Sequence, residues 1–285
     1  MAIKFKSLSY IYDEGMPYAH KALDSIDLDI REGEITAIIG QTGSGKSTLV
    51  EHLNALLLPS EGCLEILDHE IVAKQKNKNL KALRKQVGLV FQFSEYQLFE
   101  ETILKDVAFG PKNYGVSEED ANLAAIAALK MVGIDESYYQ VSPLDLSGGQ
   151  KRRVAIAGIL ALDPKVLVLD EPTAGLDPKG SEEMLGLFIE LNKKYGKTVI
   201  IVSHDDEMVY NYCDNTVLMA NGKVVYSGPT LDLFNNNELT KEYSLMMPML
   251  VEFKNELKEQ GFKIPDDIRT IDDLAAYVAK EVRRK

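Results

Sequence analysis

The chain has no tryptophan and only 2 cysteines in 285 residues. Cys63 and Cys213 lie far apart and show no CxxC spacing. A disulfide-stapled fold, a thiolate zinc site and a dithiol redox pair are therefore excluded, and both cysteines read as buried thiols in a reducing compartment. Long apolar runs are missing as well. The longest, Val154 to Leu162, falls well short of the about 20 residues a helix needs to cross a bilayer. No secretory leader is expected, because Lys4 and Lys6 interrupt the stretch where one needs an apolar core. The expectation is a cytoplasmic chain, or one that meets a membrane only through a partner. Net positive charge is also absent: 32 Lys+Arg stand against 44 Asp+Glu, a formal charge of −12. Phosphate backbones select Lys and Arg, so no nucleic-acid partner is expected.

What is present is an ordinary globular composition, 45% hydrophobic and 27% charged, which excludes a disordered chain. The length suits one or two domains at about 150 residues each, with a core large enough to need no staples. Residues Ile3 to Tyr12 alternate apolar and polar side chains, which predicts a half-buried strand, and a turn follows at Asp13 to Pro17. Leu28 to Ile30 predicts a short strand ended by Glu32-Gly33-Glu34. Ile35 to Ile39 is uncharged and rich in β-branched residues, as suits a strand buried on both faces. Val87 to Phe91, Val166 to Leu169 and Thr198 to Val202 read the same way. Helical spacing covers Leu49 to Leu57, Ser117 to Val132 and Lys151 to Leu162. Asn221-Gly222 marks a hairpin between Val217 and Tyr226. Buried strands alternating with helices predict an α/β fold on a mainly parallel sheet, with an antiparallel N-terminal β subdomain beside it.

After Gly228-Pro229 the β-branched runs cease and the spacing turns helical. Two domains are expected, 1–228 and a small helical one at 229–285. In the second, Pro248 opens a helix carrying Leu250, Val251, Phe253 and Leu257, and Thr270 with Asp273 forms a capping box before Leu274. Met246-Met247-Pro248-Met249 suits either a partner surface or the small domain's own core. Arg283-Arg284-Lys285 reads as a solvated basic tip.

The chemistry is carried by short motifs. Gly40-Gln41-Thr42-Gly43-Ser44-Gly45-Lys46-Ser47-Thr48 fits GxxxxGK[ST], between a buried strand and a helix. The glycines let backbone N–H groups curl around a phosphate, Lys46 reaches the terminal phosphates, and the Ser47 hydroxyl suits Mg²⁺. Chance gives on the order of 0.01 such matches in a chain of this length. The strand Val166 to Leu169 ends in Asp170-Glu171. It would deliver Asp170 beside the phosphate loop to anchor a Mg²⁺-bound water, and Glu171 to polarise the water that attacks the γ-phosphate. Ser147-Gly148-Gly149-Gln150 opens a helix whose bare N-terminus suits an anion.

Taken in order, the phosphate loop, Gln92, Leu146-Ser147-Gly148-Gly149-Gln150, Asp170-Glu171, Ala174-Gly175-Leu176-Asp177 and Val202-Ser203-His204-Asp205 resemble the nucleotide-binding subunits of ATP-binding-cassette (ABC) proteins. The resemblance covers residues 3 to about 228. It implies a P-loop NTPase cassette with a helical subdomain at about 94–163, and ATP and Mg²⁺ as cofactors. It also implies two such subunits closing face to face, each ATP held between one phosphate loop and the partner's signature segment. Ser147 and Gly149, in one segment with Gly148 and Gln150, would then act on the γ-phosphate of the other site, and Asp177, in the loop after the catalytic acid, would join the nucleotide-binding residues. By the same resemblance Gln92 would join Ser47 and Asp170 at the metal and sense the γ-phosphate. Glu171 would act on the water, and His204 would contact the γ-phosphate and orient Glu171. Tyr12 would stack on adenine, with Tyr10 as a close competitor.

Gln92-Phe93-Ser94-Glu95-Tyr96-Gln97-Leu98-Phe99-Glu100-Glu101-Thr102, with Asp170 through Pro178, resembles the energy-coupling-factor (ECF) branch, in particular the second of its two ATPases. That branch imports vitamins and some metal ions. The resemblance implies a second ABC ATPase subunit, giving a heterodimer or alternatively a homodimer. It also implies a transmembrane coupling subunit and a membrane substrate-binding subunit, with this chain peripheral at the cytoplasmic face of the membrane. Phe93, Tyr96, Leu98 and Phe99 would supply apolar anchors for an arginine-bearing coupling helix, and Glu95, Glu100 and Glu101 the surrounding negative charge. The alternatives are the ATPase of another ABC transporter or a soluble ABC ATPase.

Overall fold

The computed structural model describes residues 2–282, so the basic tip Arg283-Arg284-Lys285 lies outside the described residues. The chain begins with an antiparallel pair, β1 (Ala2–Tyr12) and β2 (His20–Arg31), and then enters β3 (Ile35–Ile39), buried along its whole length. The phosphate loop follows and leads into α1 (Lys46–Leu53). A second antiparallel pair, β4 (Glu61–Ile66) and β5 (His69–Val72), joins the first in the order β2-β1-β4-β5. Next come α2 (Leu80–Gln86) and β6 (Val87–Val90). A helical stretch holds α3 (Ile103–Asn113), α4 (Glu118–Met131) and α5 (Gly148–Leu160). After it the chain returns to β7 (Val166–Asp170), α6 (Pro178–Tyr195), β8 (Thr198–Val202) and α7 (Asp206–Tyr212). The hairpin of β9 (Asn215–Ala220) and β10 (Lys223–Pro229) turns at Asn221-Gly222.

The larger sheet has the order β10-β9-β3-β8-β7-β6. It is parallel from β9 to β6, with β10 antiparallel at one edge. Successive side chains of a strand face opposite ways, and here both faces meet a core. Ala37, Leu167, Val199 and Ile201 point into one cluster together with Val107, Ala125, Val154 and Phe188 from the helices. Ile38, Val168, Ile200 and Val202 point into the other, with Leu49 and Leu53 of α1 and the inner face of the antiparallel sheet. Helix α1 is thus clamped between the two sheets, which fixes where the loop before it ends. This is the P-loop cassette architecture.

The strand and helix patterns with strong periodicity appear as expected. The differences have local causes. Strand β2 starts at His20, well before Leu28, because its first residues are exposed and Ser25 adopts positive φ at a register shift, which breaks the alternation. The β4–β5 hairpin gives little periodic signal, since β4 buries only Leu64 and Ile66. Helix α3 contains Gly110 and Pro111, which read as breakers in sequence. Cys213 is a buried thiol pushed up to about 12 by desolvation. Cys63 is only partly buried, because β4 packs on one face.

Beyond β10 the chain is helical: α8 (Thr230–Phe234), α9 (Asn237–Glu242), α10 (Met249–Glu259) and α11 (Ile271–Val282). Leu250, Val251, Ile264 and Leu274 join the same cluster as one face of the larger sheet. Asp273 N donates to Thr270 Oγ1 at 3.1 Å, so the cap ahead of α11 forms. Lys254 is buried with its ammonium on the carbonyls of Asp266 (2.6 Å) and Ile268 (3.2 Å). Met246 and Met249 are exposed, whereas Met247 packs against the core.

Candidate functional site

Strands β3, β7 and β8 are neighbours, so their C-terminal ends lie side by side. From these ends come the phosphate loop, Asp170-Glu171 and Ser203-His204. In doubly wound sheets the ends of parallel strands are where ligands bind. A cleft of about 460 Å³ opens there, lined by Thr42, Gly43, Gly45, Lys46, Ser47 and Thr48, by Gln92, Asp170, Glu171 and His204, and by Tyr12.

The loop's shape is imposed by its glycines. Gly40 (φ 139°) and Gly45 (φ 102°) adopt backbone conformations closed to side chains. A Cβ at Gly40 would strike the Met219 carbonyl, and one at Gly45 would come within 2.8 Å of the Ala22 carbonyl. Gly40, Gln41 and Ser44 shape the loop without lining the cleft. The Lys46 ammonium donates to the carbonyls of Gly40 (2.7 Å) and Gln41 (3.0 Å). Burial pushes Lys46 down from its ordinary value, against the pull of Glu171 and Asp170. Asp170 is pushed up by burial, while its hydrogen bond from Ser47 and the charge of Lys46 act the other way.

Glu171 follows β7 in the left-handed region (φ 50°), an unusual conformation for a side chain of its size and of the kind held at functional sites. Its N–H is tied to the Val202 carbonyl at 3.1 Å. Its carboxylate lies 2.8 Å from His204 Nδ1, with Glu171 only 14% exposed and His204 76% exposed. The pair joins the ends of two adjacent strands.

Tyr12 lines the cleft and Tyr10 does not. Tyr10 packs edge-on against Tyr12 (4.8 Å) and His52 (5.0 Å), and the Tyr12 hydroxyl shares a 3.2 Å hydrogen bond with Thr48 Oγ1. His20, paired with Tyr12 across the β1–β2 ladder, also lines the cleft. Sequence reading missed it, because only the hairpin register brings it there.

The signature residues are not in this cleft. Ser147, Gly149, Gln150 and Asp177 line a separate, open cavity together with Arg153, Leu176 and Lys179. Gly148 is exposed beside it. Ser147 caps α5 in a complete capping box: Gln150 N donates to Ser147 Oγ (3.3 Å), and Ser147 N donates to Gln150 Oε1 (3.1 Å). Asp177 caps α6, accepting from Gly180 N at 2.7 Å. Among the described residues no side chain lines both cavities.

The segment after Gln92 departs from expectation at Glu95. Glu95 does not belong to an acidic rim. It turns inward and forms a two-point ion pair with the buried Arg152 at 3.1 and 3.2 Å. A carboxylate with its partner fixed inside the molecule is withdrawn from an incoming helix. Glu101 is exposed and pairs with Lys105 at 2.7 Å. Phe93, Tyr96 and Phe99 are exposed, with Phe99 edge-on to Phe109 at 4.9 Å.

Proteins similar to this chain point to one family. The family model described as "ABC transporter" matches residues 23–174. An energy-coupling factor transporter ATP-binding protein EcfA2 of Enterococcus faecalis is 48% identical over 283 residues, 99% of this chain and 98% of its own length. The protein of the same name from Clostridium tetani is 46% identical over 286 residues, 100% of this chain and 99% of its own length. Among solved structures, cbiO1 of Clostridium perfringens, described as part of the ABC transporter complex cbiONQ, superposes with a TM-score of 0.73 at 39% identity. It covers 89% of this chain and 98% of that one. A dimeric ATP-binding cassette in a post-hydrolysis state with ADP and phosphate gives a TM-score of 0.71 at 32% identity, covering 80% of this chain and 98% of that one. Family match, full-length relatives and cassette architecture converge: the chain belongs to the ABC transporter family, within it to the energy-coupling-factor ATP-binding subunits, ATPases that power an importer.

Proposed function

We propose that this chain holds Mg-ATP between its own phosphate-loop cleft and the signature face of a second ATP-binding subunit, and that closing and reopening of the pair drives uptake of a vitamin or metal ion. The observation that carries the reading is the gathering of Lys46, Ser47, Gln92, Asp170, Glu171 and His204 around one cleft while Ser147 and Asp177 face outward elsewhere. A chain whose anion-binding helix start lies outside its own cleft suits completion by a partner. In this reading Lys46 and the N–H groups of Gly43 to Thr48 bind the phosphates. Tyr12 stacks on adenine. Glu171 accepts a proton from the attacking water, and His204 Nδ1 fixes its carboxylate.

The donors around Ser47 fit Mg²⁺. Ser47, Gln92 and Asp170 offer a hydroxyl, an amide oxygen and a carboxylate on one cleft, and Asp170 already accepts from Ser47. A small hard cation takes one or two such groups and fills its shell with phosphates and water. When bound it would neutralise charge on the transferring phosphoryl group.

The second ATPase is a related chain, giving a heterodimer; a homodimer is the other arrangement. The membrane partners are a transmembrane coupling subunit and a substrate-binding subunit. The solved relative described as part of a transporter complex supports this assembly. The exposed aromatics Phe93, Tyr96 and Phe99 suit a coupling helix. No helix among the described residues is long and apolar enough to cross a membrane, which suits a peripheral subunit at the cytoplasmic face. Residues 1–228 act as the cassette and 229–285 as a small C-terminal domain. The test is to purify the tagged chain from membranes, identify its partners and compare Mg-ATPase turnover of the complex with that of the isolated chain at high dilution. Turnover by the complex and little by the dilute chain supports the reading. Full turnover by a strict monomer refutes it.

A further inference from the structure

Arg152 lines neither cavity, yet it touches the segments that serve both. It lies on α5, the helix that Ser147 caps, and is 4% exposed. Its guanidinium makes three contacts to two separate segments. Nε donates to Glu95 Oε2 at 3.2 Å and Nη2 to Glu95 Oε1 at 3.1 Å, a two-point fork. Glu95 sits in the short 3-10 turn Ser94–Gln97, which follows Gln92 directly after the left-handed residue Phe93 (φ 60°). Nη1 donates to the Ala174 carbonyl. Ala174 belongs to the loop between Glu171 and Asp177, and its own N–H returns to the Glu171 carbonyl at 3.2 Å.

One planar cation therefore joins the turn after Gln92, the loop after Glu171 and the helix opened by Ser147. The Gln92 segment is a single short 3-10 turn and the Glu171 loop a run of turns, and neither is held in a strand ladder. A guanidinium has a rigid fork of donors that can satisfy a carboxylate and a carbonyl together, whereas a lysine ammonium is a single point on a flexible stem. Because the charge is buried, water does not substitute for a lost contact.

We propose that Arg152 is a positioning residue of the ATPase, a strut that keeps Gln92 and the Glu171–Asp177 loop in register with the signature helix, so that the subunit's own half-site and the half-site it offers its partner move as one body. The proposal rests on the reading that Gln92, Ser147 and Asp177 serve the nucleotide. It adds a residue that touches neither nucleotide nor metal and acts through those that do.

The test uses the complex purified from membranes, with steady-state ATPase kinetics and thermal unfolding measured on each preparation. Arg152→Lys keeps the charge and loses the fork; Glu95→Gln keeps the shape and loses the charge. A misplacement on the order of 1 Å near reacting groups can lower rates about 100-fold, so Arg152→Lys should lower kcat about 10- to 100-fold while KM for ATP moves less than about twofold. Glu95→Gln should fall in the same direction, and the double variant should be no worse than Arg152→Lys, since both break the Arg152–Glu95 pair and Arg152→Lys already removes every contact that Glu95→Gln does. A merely structural role would instead reduce activity in step with the unfolded fraction. Wild-type-like kcat in both variants, additive losses, or losses that track unfolding overturn the strut. A wild-type complex that binds no ATP overturns the nucleotide reading beneath it and the strut with it.

Discussion

The cleft around Lys46 and the cavity around Ser147 both begin at a helix N-terminus, yet their surroundings differ. Lys46 starts a helix clamped between two sheets, and the groups facing it come from the ends of buried neighbouring strands. Ser147 starts a helix whose first turn is exposed or half-buried, and the capping box that satisfies it is made from its own Gln150. The first end is finished by long-range contacts and the second by local ones. A site assembled from distant elements is rigid and specific. A helix start satisfied locally is free to face another molecule.

That contrast can be broken at four depths. The largest effect is expected at Glu171. Glu171→Gln removes the proton acceptor at the inner end and should slow ATP hydrolysis by about 10²- to 10⁴-fold with ATP retained, as single-turnover assays of the complex would read. Near-normal turnover removes Glu171 from that role.

The next lies under the phosphate loop. His52, buried in α1, has Nδ1 on the Thr48 carbonyl at 2.7 Å and no partner for Nε2 among the described residues, and desolvation pushes its pKa down to about 4. An unfolded histidine binds its proton below about 6.5. The folded state does not until about pH 4. Stability should therefore be retained above pH 6.5 and decline as pH falls toward 4, by about 3 kcal/mol from this residue. Denaturant unfolding at stepped pH should show that slope in the wild type and a flatter one in His52→Gln. Equal slopes would clear His52 of the effect.

At the outer end the expected change is smaller. Ser147→Ala deletes the cap of α5 and should lower stability by about 1 kcal/mol. It should weaken hydrolysis by the complex while the isolated chain binds ATP as before. Weaker binding by the isolated chain would show that the two ends are not separate. The smallest change in stability is expected at the rim. Glu101→Lys breaks only an exposed pair with Lys105 and should leave the thermal melt close to that of the wild type, yet uncouple transport from ATP turnover. ATP affinity falling in step with uptake would refute that.

Much of the inner end was legible in sequence, because each part is a contiguous motif whose chemistry follows from its neighbours. Gly40 to Thr48 needs its glycines for backbone reasons, and Asp170-Glu171 must emerge where an apolar strand ends. Tyr12 and Tyr10 were not separable, because alternation places both on one face and only the β1–β2 register and the cleft distinguish them. Glu95 was misjudged for the same kind of reason. Its sequence neighbours are exposed aromatics and acids, and nothing local announces that Arg152, on another helix, will bury it.

The fold class, the phosphate loop and the family follow from the order of residues, since strand periodicity, glycine geometry and motif spacing are short-range properties of the chain. Which tyrosine faces the cleft, that His20 joins it, and that Arg152 ties three segments together emerge from the folded arrangement alone. Those facts depend on the strand order β3-β8-β7 and on side-chain partners far apart in the chain, and local interactions carry no record of either.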